Sequence, residues 1–462
     1  MSTSVQLLIN GTDYTQYLEQ GTWTITQQYT RQGDTATFYL VDEHASERNT
    51  PPSLNIYIPA LATVTFTDLG LGQILFAGLA TAPEVQYDGP NRLYWSVQCT
   101  DWTYFADHGL ITGDFVNFTV DQVVLLLVAQ ANCGINAALV ANGGFVSPGP
   151  VIPRIQFVYS TLSNALVSLI QVASTYTSWG WYVDESRNLH FTPLVNVVNS
   201  GVTFTDDITA VDSNTVGHYD TDNFTYTWDG TQLRNRAVVR GSSFSTLQTD
   251  TWYGDGITTQ WAISQVPDTS RVSSASLKIA GTTTQVAIQS GTSATTPFVI
   301  VQNNIGAWFL VVNTGGTIPT TAQSIVLKYY YTAPIIAQVD NVPSQNTYAS
   351  LANRGIFATY ILDINLKTLA SAQQRGQAEV FSFGLPEERL QIQSTELFGG
   401  HLRAGQIFTW VSAVTPNSSN SGLPGINDTF LIISNTIASS QHGYYYRTYQ
   451  LTGARTSLSV GI

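Results

Sequence analysis

The chain has 462 residues, 43% of them apolar and 11% aromatic, which is material for about three or four domains with cores of their own. Only 11% are charged, the net charge is −13 and no basic run occurs, which excludes sequence-independent gripping of nucleic-acid phosphates. The longest apolar run, Val123 to Ala129, is too short for a bilayer span, and the opening Met-Ser-Thr-Ser-Val-Gln lacks the regions of a signal peptide, so a soluble intracellular product is expected.

In chain order, Val5-Gln-Leu-Leu-Ile9, the turn Asn10-Gly11 and Trp23-Thr-Ile-Thr26 predict an opening hairpin and strand. Thr35 to Val41, Leu54 to Ile58, Thr63 to Phe66 and the Gly72 hairpin continue a β-barrel to about Asp107. Thr119-Val-Asp-Gln122 is a capping box for a helix that Gly134 is expected to end. Leu162, Ala165, Leu166, Leu169, Ile170 and Ala173 form one stripe at helical spacing, capped by Ser160 or Thr161. Gly180 to Thr192 then predicts a short hairpin that completes an α+β domain. Strands resume at Phe224 to Trp228 and Arg234 to Gly241. Short alternating strands between Thr251 and Pro334 predict a small inserted β-sandwich. The last helix spans Thr368 to Phe383, with Leu369, Ala372, Gly376, Val380 and Phe383 on one face. The expected domains are 1–110, a first barrel; 111–200, α+β; 201–245 with 337–462, a second barrel; and 246–336, the sandwich.

The two barrels are suggested by an internal echo. Gly72, Gln73, Ile74, Ala80 and Pro83 share their offsets with Gly405, Gln406, Ile407, Ala413 and Pro416. Tyr94, Gln98 and Thr100 are echoed by Tyr446, Gln450 and Thr452. Both copies read as a strand, a turn and a returning strand, the second with a longer loop; the competing reading is two unrelated hairpins.

Motifs of catalysis are missing: there is no Gly-x-Ser-x-Gly elbow, no His-Glu-x-x-His and no phosphate-binding loop. His44 with Glu47 reads as a solvated loop pair, and Asp220-Thr-Asp222-Asn223 as a turn without the Gly and distal Glu of a calcium loop. Glu387-Glu388 reads as loop decoration rather than a glycosidase pair. His190 and His218 have no ligand-spaced neighbours. Tyr329 to Tyr331 and Tyr444 to Tyr446 suit sheet surface or subunit contact, with sugar stacking as the alternative. Cys99 and Cys133 are expected to be two reduced buried thiols, a single disulfide being the alternative. No catalytic, cofactor-binding or metal site is assigned, and no cofactor.

The order of these parts, with "WGWYVD" and "NLHF" in the hairpin, "RNRAVVRG" in the strand and "YGDGITTQW" opening the sandwich, resembles the baseplate hub proteins of tailed bacteriophages over nearly the whole chain. The resemblance implies a mainly β protein with α+β, carrying two tail-tube-like β-barrels per subunit, a small helix-containing domain and an inserted sandwich. It implies a non-enzymatic structural hub: a homotrimer that matches a sixfold tail tube to a threefold tip and leaves a channel. Implied partners are a distal tail or tail tube protein, a tip, spike or fibre protein, the tape-measure protein, and DNA that passes without specific binding. No membrane insertion is implied. The implied place is the distal end of the virion tail, after assembly in the host cytoplasm, and an acidic lumen would repel the duplex. The chain is expected to end without a peptidoglycan-cleaving or spike domain. The alternative function is a tail-tip adhesin that binds host-surface glycan through the sandwich, and a polysaccharide-degrading enzyme is a third.

Overall fold

The computed structural model describes residues 5–19, 21–29, 33–42, 56–70, 72–87, 93–175, 177–206, 218–220, 223–269, 275–288, 296–394, 402–417, 423–439 and 447–455. The chain divides into two compact units. Unit 1 comprises residues 1–239, 337–361 and 373–462, and unit 2 comprises 240–336 and 362–372.

Unit 1 begins with β1 (Val5–Ile9), β2 (Thr12–Asp13), β3 (Thr24–Gln28), β4 (Thr35–Asp42), β5 (Thr63–Asp68), β6 (Gln73–Tyr87) and β7 (Leu93–Asp101). Asn10 and Gly11 have φ of 49° and 78°, the doubled left-handed turn that Asn-Gly favours between β1 and β2. Alternation then dictates the core: Leu7, Ile25, Phe38, Leu40, Val64 and Phe66 are fully buried in one cluster. Each contributes roughly 1.5–3 kcal/mol by leaving water. The strand expected at Leu54 to Ile58 does not form in the described part. Ile56 and Ile58 are buried against this core, but residues 56–59 join no ladder.

The α+β part follows: α1 (Thr103–His108), β8 (Leu110–Thr119), α2 (Val120–Ala131), β9 (Val151–Thr161), α3 (Leu162–Ala173), β10 (Trp179–Val183) and β11 (Leu189–Pro193). The capping-box Gln122 accepts from the Thr119 N–H at 3.0 Å. Asn132, with φ 45°, ends α2 two residues before Gly134. Asn tolerates the left-handed region because its short amide bonds locally. Thr161 caps α3, accepting from the Asn164 N–H at 3.3 Å, and Leu162, Ala165, Leu166 and Leu169 are fully buried beneath it.

The remaining strands of unit 1 are β12 (Asn199–Thr205), β13 (His218–Asp220), β14 (Asn223–Asp229) and the inner end of β15 (Arg236–Tyr253). In unit 2 the outer part of β15 is followed by β16 (Gln260–Ala262), β17 (Ser276–Ile279), β18 (Thr282–Thr284), β19 (Val286–Ile288), β20 (Phe298–Gln302), β21 (Trp308–Val312) and the outer part of β22 (Ser324–Asp340). Its strands lie in the orders β18-β17-β22-β15 and β16-β21-β20-β19, a sandwich around Leu277, Phe298, Ile300, Leu310, Leu327 and Tyr329. Back in unit 1 come α4 (Val342–Thr347), β23 (Ala358–Leu362), most of α5 (Leu369–Phe383), β24 (Glu387–Ser394), β25 (Ile407–Asn417), β26 (Leu423–Ser439) and β27 (Arg447–Arg455). Leu369, expected on the packed face of the last helix, is 53% exposed.

Two halves of a 14-stranded sheet in unit 1 carry the duplication. The first runs β3-β4-β7-β6-β5-β1 and the second β14-β24-β27-β26-β25-β12. Replacing each strand of the first by its counterpart in chain order gives the second. All pairs agree in direction except the last, since β1 is antiparallel to β5 while β12 is parallel to β25. Details coincide as well. Ala80 donates to Ala62 O at 2.9 Å and accepts from Leu61 N at 2.7 Å, while Ile432 donates to Gln406 O and accepts from Gly405 N, both at 2.8 Å. Leu61 and Gly405 share a positive φ, 63° and 91°. The next residues, Thr81 and Ile433, are bulges at which the ladders to β7 and β27 shift.

The echo in the letters is therefore out of register. Gly405 corresponds to Leu61 rather than to Gly72, and β25 to β5 rather than to β6. Asn417 and Leu423 are not the two ends of a loop before a returning copy of β7; they pair across a hairpin of β25 with an additional strand, β26. After the bulge Ala82 faces Gln98 and Ser434 faces Thr452, so Gln98 matches Thr452 and not Gln450.

Candidate functional site

The described residues build a joint within the 14-stranded sheet. β26 is 17 residues long, and its first part pairs with β25 up to Leu431. Beyond the bulge the same edge takes β3 of the first barrel: Ser434, Asn435, Thr436, Ile437 and Ala438 face Gln28, Gln27, Thr26, Ile25 and Thr24. Ile25 and Ile437 are fully buried as an opposed pair. Asn435 and Gln27 are fully buried too, and most of their polarity is met inside: Asn435 Nδ2 donates to Leu402 O at 2.5 Å and to Gln27 Oε1 at 3.3 Å, and Gln27 Nε2 donates to Leu75 O at 3.1 Å, while Asn435 Oδ1 has no partner among the described residues. One continuous ladder thus fixes the first barrel to the second.

Beside this joint lies a buried charge cluster. Arg403, just before β25, reaches Asp34 at 3.3 Å, pairs with Glu185 of the β10–β11 turn, and donates to Val183 O at 3.3 Å. Its guanidinium stands 4.8 Å over the Tyr182 ring. Asp101 closes the group, accepting from the Thr103 N–H at 3.0 Å and from the Thr103 hydroxyl. Gly33 is required here, since a Cβ would lie 2.6 Å from Asp101 Oδ1. Burial, then the neighbouring Asp34 charge, pushes Asp101 up to about 7. Burial raises Asp34 as well, against the pull of Arg403. Two neighbouring buried aspartates, Asp34 and Asp101, favour a bound proton over full ionisation.

Glu388, expected in a loop, lies instead in β24 and is fully enclosed. Arg455 bonds Glu388 and Asp428, each at 2.7 Å, and the Tyr226 hydroxyl donates to Glu388. Burial and then that carboxylate push the Tyr226 hydroxyl upward. Glu387 pairs with Arg389 at 2.7 Å. A second cluster clamps α5: Glu379 holds Arg234 and, at 2.8 Å, Arg375. Asn235, in the Arg-Asn-Arg segment, is fully buried. It accepts from Phe357 N at 2.8 Å and donates to Gly355 O at 2.7 Å. Sequence reasoning missed the Arg455–Glu388 and Arg234–Glu379 pairs because the partners lie 67 and 145 residues apart in the chain.

His190 bonds Asp184 at 3.1 Å and is stacked between Phe145 and Tyr182, at 4.0 and 4.3 Å. His44, Glu47, Asp222 and Tyr444 to Tyr446 lie outside the described residues. Asp220 ends β13, His218 begins it, and Tyr329 is core in unit 2. Cys99 and Cys133 are unbridged, the first buried and the second half-buried. Among the described residues no three His, Cys, Asp or Glu are placed to hold a metal, and no helix is long and apolar enough to cross a membrane.

No protein-family model and no curated protein sequence matches the chain. Among the solved structures similar to it from end to end are two tail proteins. One is the 43 kDa tail protein of prophage MuSo2 from Shewanella oneidensis, with 13% identity, a TM-score of 0.55, and coverage of 98% of this chain and 99% of that one. The other is the tail protein from Neisseria meningitidis MC58, with 10% identity, the same TM-score of 0.55, and coverage of 100% and 98%. At these identities the likeness is one of fold: this chain has the fold of prophage tail proteins.

Proposed function

We propose that the chain is a structural hub at the distal end of a bacteriophage tail, acting as a homotrimeric ring that adapts a sixfold tail tube to a threefold tip. The observation that carries this reading is the duplicated barrel. Three copies present six barrels of one strand order, and the β26–β3 ladder already joins two of them at fixed spacing. The proposed domains are residues 1–110, 111–200, 201–245 with 337–462, and 246–336. A distal tail or tail tube protein binds above, and a tip, spike or fibre protein below. DNA and the tape-measure protein pass through the lumen. Three copies of a chain with net charge −13 make a wall that repels the duplex. The reading involves no catalytic step. Native mass measurement together with the position of the chain in a reconstructed tail tests it; a protein found away from the tube axis, or in other than three copies per tail, ends it.

The second reading, a tip adhesin, is favoured by Tyr253 and Ile257 of unit 2, exposed at 71% and 81% within a few residues of each other. Deleting 246–336 from the full chain distinguishes the two. The adhesin loses host attachment with tails still assembled, and the hub alone does not.

A further inference from the structure

The joint inside the chain has a vacant twin. Matching the bulges places Ser434 to Ala438 of β26 on Ala82 to Gln86 of β6. In β26 this stretch is covered by β3. In β6 no strand among the described residues pairs beyond Ala80 on the side away from β7. The same ladders give the counterpart of β3. Thr37 faces Gln98 as Gln391 faces Thr452, and Thr24 faces Thr37 as Thr225 faces Gln391. Residues 24–28 of β3 therefore correspond to residues 225–229 of β14. That strand pairs with β24 on one side and with no described strand on the other.

We propose that the β6 edge at Ala82–Gln86 binds the β14 edge at Thr225–Asp229 of a second copy of this chain, antiparallel, in the register of the internal joint. This rests on the ring reading above and names the surface that closes it. The pairs follow directly: Val85 opposite Tyr226, Pro83 opposite Trp228, and Glu84 opposite Thr227. Exposure agrees with the vacancy. Ile437 and Gln27 are fully buried in the internal joint, while their counterparts Val85 and Trp228 are 49% and 44% exposed. Pro83, standing where Asn435 stands, has no N–H to give, so that rung carries one bond fewer. A proline on an open edge also discourages unplanned strand addition, which suits an edge reserved for a single partner. The partner is a second copy rather than another protein because the chain itself contains both halves of the contact, and in one place has already put two such halves together.

The test places cysteines on the full chain at Glu84→Cys and Thr227→Cys, with Cys133→Ser removing the half-buried native thiol. Their counterparts Thr436 and Thr26 approach to 3.3 Å between hydroxyl oxygens, within reach of a disulfide. Oxidation is expected to link chains into species that stop at three on a denaturing gel. The slipped pair Glu84→Cys with Thr225→Cys is expected to stay unlinked. A threefold native mass without the 84–227 link rejects this junction and leaves the ring. A ladder extending past three keeps the junction and rejects the threefold ring. Chains that are monomeric, or linked only within themselves, reject the junction.

Discussion

Replacing Asp101 by asparagine should flatten a pH dependence built into the joint. Buried beside Thr103 and Asp34, Asp101 is pushed up to about 7 by burial and then by the Asp34 charge, against about 3.9 for an aspartate in an unfolded chain. Between those values the folded form keeps a proton that the unfolded form has released, so stability falls as pH rises. The contribution is complete below the unfolded value and gone above the folded one. Three pH units at 1.36 kcal/mol each amount to about 4 kcal/mol. The amide of the Asp101→Asn variant would keep an oxygen for the Thr103 N–H and hydroxyl but cannot ionise. Its advantage over the native chain should therefore grow by roughly 2–3 kcal/mol between pH 5 and pH 8. A chain of two units is not expected to melt in one step. The suitable assay is hydrogen exchange of the peptide covering residues 93–108 in both proteins at matched pH, where intrinsic exchange rates cancel. Opening free energies that run parallel from pH 5 to pH 8 would refute a shared proton in this cluster.

The two left-handed turn residues make an opposed pair of predictions. Leu61→Gly relieves a side chain held at φ 63° and should stabilise by about 0.5–1 kcal/mol, while Gly405→Leu should destabilise by more than about 2 kcal/mol, because a Cβ there meets Tyr29 at 2.8 Å; hydrogen exchange of the β5 and β25 amides measures both. Arg455→Met leaves Glu388 buried without its main partner and should cost about 3–5 kcal/mol, read as faster hydrogen exchange of the β24 and β27 amides, with Glu388→Gln/Arg455→Met recovering part of it. Asn235→Ala strips the Phe357 N–H and Gly355 carbonyl of their partner and should cost on the order of 1–3 kcal/mol, read as faster exchange of the Phe357 amide.

How much of this was legible in the letters differs by element. The Asn10-Gly11 turn, the α3 stripe and the β10–β11 hairpin are local patterns, and each is where its residues say. Duplication was legible as an idea but not as an alignment. A strand repeats every two residues, so a slip of two, Gln98 onto Gln450 instead of Thr452, leaves every side chain on its proper face and disturbs no pattern. Gly405 drew the eye to Gly72, although the conformation that needs glycine there is adopted by a leucine in the other copy. β8 and β9 escaped notice because Gly113, Asn117 and Tyr159 interrupt their alternation, the last two at positive φ. Glu388 was hidden for a different reason: nothing near Pro386 announces an arginine 67 residues onward.

Because β3 is covered by β26, a strand made early waits for one made about 410 residues later. Thr26 meets Thr436 across 410 residues. During synthesis at some 5–20 residues per second, the N-terminal barrel is exposed for tens of seconds with its flank uncapped. It is then open to theft by the same strand of a neighbouring polypeptide on the polysome, an exchange that would knit dimers by swapping C-terminal ribbons. Slowing the ribosome late in the message should raise the yield of such swapped products, and a holdase chaperone bound early should lower it.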